Sequence, residues 1–87
     1  MIWRVEFSAK AERQFGKLDK QTQQEIVSYL DWVLQSDDPQ QCGKPLVAEW
    51  SGFWRYRVGK YRIICDIQRQ KLLIEIITVD KRDKVYQ

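Results

Sequence analysis

The sequence predicts a small α+β domain in which two helices pack as a hairpin on one face of a mostly antiparallel sheet, in the order β-α-α-β-β-β. Three observations support this prediction. The N-terminus alternates apolar and charged residues, apolar residues recur at helical spacing between residues 8 and 36, and three extended segments follow residue 53. A chain of 87 residues has room for one domain, so we expect residues 1–87 to form a single unit.

The first half of the chain predicts one strand followed by two helices. Trp3 to Phe7 alternate apolar and charged side chains, which is typical of a half-buried strand. Ser8 and Asp19 each suit a helix N-cap. The first helix is expected to run to about residue 18, and the second to end before the proline at position 39. The apolar stripes are Ala11, Phe15 and Leu18 in the first helix and Ile26, Leu30 and Val33 in the second.

Residues 37–52 are predicted to form a loop with one or two short ordered pieces, because glycine and proline interrupt them. Leu46, Val47 and Trp50 are large apolar residues of this loop, and we expect them to pack against the core. Residues 71–79 are nearly continuous in β-branched and aliphatic residues, which indicates a central strand. The N-terminal strand can pair in parallel with this central strand, and the helices would then cover one face of the sheet.

Residues 54–67 predict a β-hairpin with one apolar and one cationic face. Apolar side chains alternate with Arg55 and Arg57, and Gly59-Lys60 is a two-residue break that suits a tight turn. That turn would bring Arg57 and Arg62 onto adjacent strands. Solvated arginines are the default interpretation for an antiparallel sheet, whereas the number of guanidinium groups here favours a binding surface.

The charge of the chain is concentrated in its second half. Residues 1–43 contain five Lys/Arg and seven Asp/Glu, whereas residues 44–87 contain ten Lys/Arg and five Asp/Glu. The basic surplus therefore lies in the half that contains the arginine hairpin. This distribution favours a polyanionic partner, either nucleic acid or an acidic protein segment.

Several classes of protein are disfavoured by composition. The chain has no histidine, and Cys42 and Cys65 are far from any metal-ligand spacing, so we expect no metal and no cofactor. The chain has no apolar run long enough to cross a bilayer, and its N-terminus lacks the apolar segment of a signal peptide. We therefore expect a cytoplasmic protein with reduced thiols and no membrane partner.

A cationic face could cleave RNA without a nucleophilic side chain or a metal, since the 2′-hydroxyl of RNA supplies the nucleophile. Guanidinium groups bind phosphate oxygens and stabilise the charge that develops during cleavage. Proton transfer would then fall to the lysines or to Tyr86, a phenol in a basic setting four residues after Arg82. From spacing alone, packing against the sheet is the simpler role for this penultimate tyrosine.

Two segments resemble a known family. They are Trp54-Arg55-Tyr56-Arg57-Val58-Gly59-Lys60-Tyr61-Arg62 and the ending Lys81-Arg82-Asp83-Lys84-Val85-Tyr86. The first fits the pattern (W/Y)RxRxGxYR. With the N-terminal strand and the two helices, these segments resemble the RelE/ParE superfamily of bacterial type II toxins over essentially the whole chain, and most of all its RelE branch.

The resemblance implies a RelE-like fold and an mRNA interferase, a toxin that cuts mRNA in the ribosomal A site and inhibits translation. It also implies a cognate RelB-like antitoxin that blocks the toxin, with operator DNA bound only through the complex of the two. The residues implied to be catalytic are Arg57, Arg62, Arg82 and Tyr86, and those implied to bind RNA are Arg55, Lys60, Lys81 and Lys84.

The chain departs from the RelE pattern at three places. RelE has lysines at the positions of Arg55 and Arg57, and arginine cannot act as a general base. Many relatives have histidine at the position of Lys81, and RelE continues beyond the tyrosine that matches Tyr86. The base would then be Tyr86, a ribosomal group or solvent, while Arg57 retains a role in phosphate stabilisation.

Two other functions are compatible with the sequence. A ParE-like toxin with the same scaffold would inhibit DNA gyrase without cleaving RNA, although ParE-type members generally lack the arginine and tyrosine constellation. A degenerate toxin would act only as a partner for antitoxin and operator DNA. Cleaved mRNA would indicate the interferase, and arrested growth with intact mRNA would indicate the gyrase inhibitor. Normal growth would indicate the degenerate toxin.

Overall fold

The computed structural model describes residues 3–81, and it places two helices on one face of a five-stranded mixed sheet. The helices are α1 (Ala9–Gly16) and α2 (Lys20–Gln35). The strands are β1 (Arg4–Phe7), β2 (Lys44–Pro45), β3 (Trp54–Val58), β4 (Tyr61–Gln68) and β5 (Leu73–Lys81), and their order in the sheet is β1-β5-β4-β3-β2. The predicted α+β class, with helices followed by a mostly antiparallel sheet, is confirmed.

Both helices begin at the predicted caps. The Ser8 hydroxyl accepts a hydrogen bond from the Ala11 N–H at 3.1 Å, and the Asp19 carboxylate accepts one from the Thr22 N–H at 2.8 Å. These bonds satisfy amide groups that a helix N-terminus leaves without partners. The Gln23 amide then donates to the carbonyls at the end of α1, at 2.9 Å to Phe15, which ties the start of α2 to the end of α1.

The core lies between the helices and the sheet. The buried helix positions are those that the apolar spacing predicts, and the sheet contributes alternate residues of its three long strands. Tyr56 is fully buried, and its hydroxyl donates to the Pro39 carbonyl at 2.8 Å, so its polar atom is satisfied inside the core. The buried set includes Trp3, Ala11, Ile26, Leu30, Val33, Tyr56, Ile63, Cys65, Ile74, Ile76 and Val79.

The N-terminal strand pairs in parallel with the last strand, as predicted, with Val5 opposite Ile74. Beyond the end of β1, helix α1 supplies a hydrogen-bond acceptor to the same edge of β5. The Gln14 side-chain carbonyl accepts hydrogen bonds from the Val79 N–H at 2.7 Å and from the Thr78 hydroxyl at 3.0 Å. A side chain of α1 thus replaces a missing strand partner, and it holds the C-terminal half of β5 in place.

A β-bulge in β5 changes the register of its second half. Cys65 pairs with Ile76 and its neighbour Ile64 pairs with Thr78. Ile77 is therefore an extra residue on β5, without a partner of its own on β4. The bulge allows Ile76 and Val79 to face the core although they are three residues apart. It also shifts every later residue of β5 by one position relative to β4.

The predicted loop does contain short ordered pieces, which are 3₁₀ turns at Pro39–Cys42 and Ala48–Trp50 and the strand β2. The predicted element order lacked β2, which forms because its short extended segment pairs with the start of β3. Two further predictions about the second half of the chain were wrong in detail. Val47 and Trp50 are 77% and 42% exposed rather than packed on the core, since β2 ends after two residues and a positive φ of 60° at Ala48 turns the chain away from the sheet. β5 begins at Leu73 instead of residue 71, because residues 69–72 form a wider turn.

Neither helix within residues 3–81 combines the length and the apolar character that crossing a membrane requires.

Candidate nucleic-acid interface

The sheet face opposite the helices carries a cluster of cations at one end. Arg57 on β3 lies directly opposite Arg62 on β4, as the tight turn predicts, and Lys44 on β2 lies directly opposite Arg55 on β3. Cross-strand partners point to the same side of a sheet. Four basic side chains from three strands, Lys44, Arg55, Arg57 and Arg62, therefore share this side, which is called the cationic face below.

The tight turn brings these residues together in the way that its sequence predicts. Val58 pairs with Tyr61, which leaves Gly59 and Lys60 as the two turn residues. Gly59 adopts a φ of +58°, a conformation that favours glycine at the first position of such a turn.

Exposure differs among the members of the cationic face. Arg57 and Lys44 are exposed and Arg55 is half-buried, whereas the side chain of Arg62 is only 12% exposed. Arg57, Arg55 and Lys44 also line an open depression of about 300 Å³ at the edge of the sheet. Because a guanidinium group stays charged and matches the geometry of phosphate oxygens, this depression suits a phosphodiester.

Gly43 allows β2 to lie this close to β3. A Cβ atom at position 43 would approach the Arg55 carbonyl oxygen to 2.3 Å and the Tyr56 ring to 2.7 Å. The space next to β3 therefore admits only a glycine at this point. The close approach places Lys44 next to Arg55 and extends the cationic face to a third strand.

A carboxylate lies beside the shielded arginine of the cationic face, Arg62. Arg62 lies directly opposite Asp80 on β5, and its Nε is 3.9 Å from Asp80 Oδ1. Both atoms are shielded from solvent, and neither has a hydrogen-bond partner among residues 3–81. Asp80 thus contributes a negative charge beside the pair of arginines.

The same sheet face becomes acidic at its other end. Glu75 on β5 lies opposite Asp66 on β4 and opposite Glu6 on β1. The Gln68 amide donates to Asp66 at 3.0 Å, which ties one end of this row together. The face therefore has an electrostatic gradient, and a polyanion is attracted to the end that carries Arg57 and Arg62 and repelled from the opposite end.

Two other residues implied to bind RNA lie off the cationic face. Lys60 is exposed in the tight turn, and Lys81 pairs with Tyr61 on the side of the sheet that carries the helices. Lys60 and Lys81 border a depression whose other side is formed by α2 through Thr22 and Glu25. Arg82, Lys84 and Tyr86 lie outside the described residues.

Two residues of this face, Lys44 and Asp80, were not predicted from the sequence. Lys44 lies in a segment without strand periodicity, and only its place directly before a proline in an extended dipeptide points to a strand. Asp80 belongs in sequence to the basic C-terminal segment, and its position opposite Arg62 depends on the bulge in β5. No sequence pattern for that bulge is evident.

Three groups with raised pKa values, Tyr29, Tyr56 and Cys65, lie in the hydrophobic core or pack against it. Burial raises the pKa of the Tyr29 and Tyr56 phenols, and neighbouring thiols raise it further. Burial also raises the pKa of the Cys65 thiol from 9.0 to about 12, with a further contribution from Asp66. Tyr56 and Cys65 lie on the helix side of the sheet, whereas Tyr29 also lines the depression beside Arg55 and Arg57. Because the pKa values of all three groups are raised, they stay protonated at neutral pH and do not supply a base there.

Comparisons with known proteins agree with this architecture. The sequence model of the ParE toxin of the type II toxin–antitoxin system parDE matches residues 5–86. Toxin RelG of Mycobacterium tuberculosis is 31% identical over 87 residues, which cover 100% of this chain and 99% of RelG.

Solved structures show the same fold. A chain of the toxin–antitoxin complex RelBE2 from Mycobacterium tuberculosis is 31% identical and superimposes with a TM-score of 0.81, over 92% of this chain and 91% of that one. A chain of the intact Escherichia coli RelBE complex has a TM-score of 0.74 at 17% identity, over 92% of this chain and 96% of that one. On the family match and the full-length similarity to RelG, the chain belongs to the RelE/ParE superfamily of toxins of type II toxin–antitoxin systems.

Proposed function

We propose that this toxin is a ribosome-dependent endoribonuclease that cleaves mRNA in the ribosomal A site and so inhibits translation. The observation that supports this most directly is the cross-strand pair of Arg57 and Arg62 on the face of the sheet opposite the helices. Two guanidinium groups from adjacent strands suit a phosphodiester that gains negative charge during cleavage. The similarity to RelG and to RelBE2 adds a second, independent line of support.

In the proposed reaction the RNA supplies its own nucleophile. The 2′-oxygen of the nucleotide before the scissile bond attacks phosphorus, the bond from phosphorus to the 5′-oxygen breaks, and a 2′,3′-cyclic phosphate and a 5′-hydroxyl result. One proton leaves the 2′-hydroxyl and one joins the departing 5′-oxygen. Arg57 and Arg62 would hold the non-bridging oxygens, where charge accumulates in the transition state.

The proton donor and acceptor are not among the arginines. A guanidinium group keeps its protons at all accessible pH values, so Arg55 and Arg57 act only as hydrogen-bond donors. Tyr86 is the proposed proton-transfer residue, with Arg82 as a third phosphate-binding cation. Both assignments rest on the sequence ending, and we expect Arg82→Ala and Tyr86→Phe each to cripple cleavage while the domain stays folded.

The proposed partners follow from the same assignment. Lys44, Arg55, Lys60, Lys81 and Lys84 would contact the RNA or ribosome backbone, of which Lys44 and Arg55 lie on the cationic face. RelBE2 of Mycobacterium tuberculosis and RelBE of Escherichia coli are complexes of a toxin with its antitoxin. For this chain we propose a RelB-like antitoxin, with operator DNA contacted through the complex, and action in the cytoplasm.

The test is primer extension on a translated mRNA after brief induction of the toxin, with Arg57→Ala beside the wild type. New 5′ ends within codons, present for the wild type and absent for the variant, are the expected result. Induction together with the antitoxin should restore intact mRNA. Intact mRNA in cells whose growth stops on wild-type induction would refute the nuclease assignment.

A gyrase-directed toxin is the second candidate, because the family match carries the ParE description. On that alternative the cationic face would contact protein or DNA rather than scissile RNA. Arrested growth, uncut mRNA and accumulation of covalent gyrase–DNA complexes would establish it. Normal growth with uncut mRNA would indicate a toxin that acts only by binding its antitoxin.

A further inference from the structure

Asp80 stands out on the cationic face because it is the one acidic residue beside its arginines within residues 3–81. It lies directly opposite Arg62, which in turn lies directly opposite Arg57. The three side chains thus form one row across β3, β4 and β5. A carboxylate in this position repels the phosphates that the arginines would attract, so it weakens RNA binding.

The geometry explains what this carboxylate can do. The Arg62 side chain is 12% exposed and the Asp80 side chain is 33% exposed, and the facing atoms Nε and Oδ1 are shielded from solvent. Shielded charges are screened by salt and water less than exposed ones. Their attraction across 3.9 Å therefore restricts the orientation of the Arg62 guanidinium, while Arg57 repels it from the opposite strand.

The pair is close, yet it is not a hydrogen bond. At 3.9 Å the donor and acceptor are beyond hydrogen-bonding distance, and Nε keeps its hydrogen without a partner among residues 3–81. Asp80 thus orients the guanidinium without using up its hydrogen-bonding capacity. A structural ion pair placed only for stability would gain from direct hydrogen bonds, which this pair does not make.

We propose that Asp80 is a positioning residue for Arg62, fixing the guanidinium in the orientation that stabilises the transition state at the cost of weaker RNA binding. This inference rests on the proposed nuclease function. The proposal predicts different effects on two measured quantities, the rate of the cleavage step and the strength of RNA binding. Loss of the Asp80 charge should slow the cleavage step and at the same time leave RNA binding unchanged or tighter, whereas general damage to the fold would weaken both.

The experiment measures single-turnover cleavage of mRNA in programmed ribosomes over a range of toxin concentrations. Asp80→Asn should lower the rate at saturating toxin by about 10- to 100-fold, the effect expected when a catalytic group is misplaced by an ångström. The half-saturating toxin concentration should stay the same or fall. Asp80→Glu, which keeps the carboxylate, should recover part of the lost rate.

Glu75→Gln is the matched control, since Glu75 lies on the same strand and the same sheet face but opposite Asp66. It removes one negative charge without touching Arg62, so its saturating rate should equal that of the wild type. In an Arg62→Ala background, Asp80→Asn should cause no further loss of rate, because the two residues act as a unit. Equal losses of the saturating cleavage rate in Asp80→Asn and Glu75→Gln would overturn the inference.

A readout independent of cleavage separates this inference from the proposed function. The Nε–H proton of Arg62 should exchange slowly with solvent in the wild type and faster in Asp80→Asn, as followed by NMR. Wild-type toxin that fails to cut RNA would refute the nuclease function, and with it the catalytic meaning of the pair. Active wild type with unchanged rate and unchanged exchange in Asp80→Asn would refute the positioning role alone.

Discussion

Arg57 and Arg62 face each other directly across β3 and β4, on the side of the sheet opposite α1 and α2. Like charges in this arrangement destabilise a sheet, typically by a few tenths of a kcal/mol to about 1 kcal/mol. The hairpin therefore holds two cations together against their repulsion. An anion placed between the two side chains relieves this repulsion and so stabilises the arrangement. A bound phosphodiester would be such an anion.

Removing the exposed member of this pair should separate activity from stability. Arg57→Ala is expected to reduce the single-turnover cleavage rate by about 100- to 1,000-fold, since it removes a donor to the charged transition state. Its free energy of unfolding should be unchanged or slightly higher, because the repulsion of Arg62 is relieved. Arg13→Ala on α1 is the control, an exposed arginine away from this face. A variant Arg57→Ala that cleaves like Arg13→Ala would contradict the assignment.

Salt should weaken RNA binding by this face in a way that depends on the number of phosphates that the basic side chains neutralise. We expect the logarithm of the binding constant for single-stranded RNA to fall linearly with the logarithm of salt concentration. Arg55→Ala should reduce that slope by about 0.7, the value for one phosphate of a single strand that is no longer neutralised. Fluorescence anisotropy at several salt concentrations measures the slope. An unchanged slope, with Arg13→Ala as reference, would exclude Arg55 from phosphate binding.

Gly43→Ala should destabilise the domain, because the new Cβ would collide with the Arg55 carbonyl oxygen and the Tyr56 ring. Overpacking of this kind costs about 1–3 kcal/mol in unfolding free energy. Gly16→Ala is the matched control. It lies at the end of α1 with no atom within 4 Å of the added Cβ, so it should be neutral or stabilise by up to about 1 kcal/mol. Urea unfolding of both variants tests the close approach of β2, and equal stabilities would argue against it.

The domain should lose stability at alkaline pH. The pKa of Cys65 is raised from 9.0 to about 12, and those of Tyr29 and Tyr56 are raised above 10.0, mainly by burial. Because the folded state holds these protons more tightly, their contribution is complete below pH 9 and falls as pH rises from there. The unfolding free energy should decline by up to about 1.4 kcal/mol per pH unit for each of the more buried groups, Tyr56 and Cys65, and by less for Tyr29, whose interactions solvent screens.

Urea titrations at about pH 7, 9 and 10.5 measure this decline across the range in which the unfolded thiol and phenols lose their protons. Tyr56→Phe removes one of the phenols, so its stability should fall less steeply above about pH 10 than that of the wild type. Its stability at neutral pH is expected to be lower, through loss of the hydrogen bond to Pro39. A free energy of unfolding that stays constant over the whole range would show that the buried protons are not coupled to folding.

Much of the fold could be predicted because its signals are local. Ser8 and Asp19 cap the helices as their side chains predict, and the Gly59-Lys60 turn places Arg57 opposite Arg62. Each of these features depends on a few neighbouring residues. The periodicity of apolar residues then assigns the correct face to both helices and to β3.

The remaining features depend on contacts between distant segments. If the register that pairs Gln68 with Leu73 continued without interruption, Val79 rather than Asp80 would lie opposite Arg62. The extra residue Ile77 shifts the strand by one position, and this shift lets both Ile76 and Val79 face the core. The short strand β2 likewise exists only because β3 offers an edge beside it.

The most direct measurement uses purified ribosomes programmed with an mRNA in which the attacking nucleotide of the A-site codon carries a 2′-deoxy substitution. We predict that wild-type toxin cuts the unmodified mRNA, leaves a 2′,3′-cyclic phosphate detectable by mass spectrometry, and does not cut the deoxy-substituted mRNA. Cleavage of both substrates at equal rates would contradict attack by the 2′-hydroxyl. Cleavage of neither would contradict the proposal that the cationic face of Lys44, Arg55, Arg57 and Arg62 belongs to a ribonuclease.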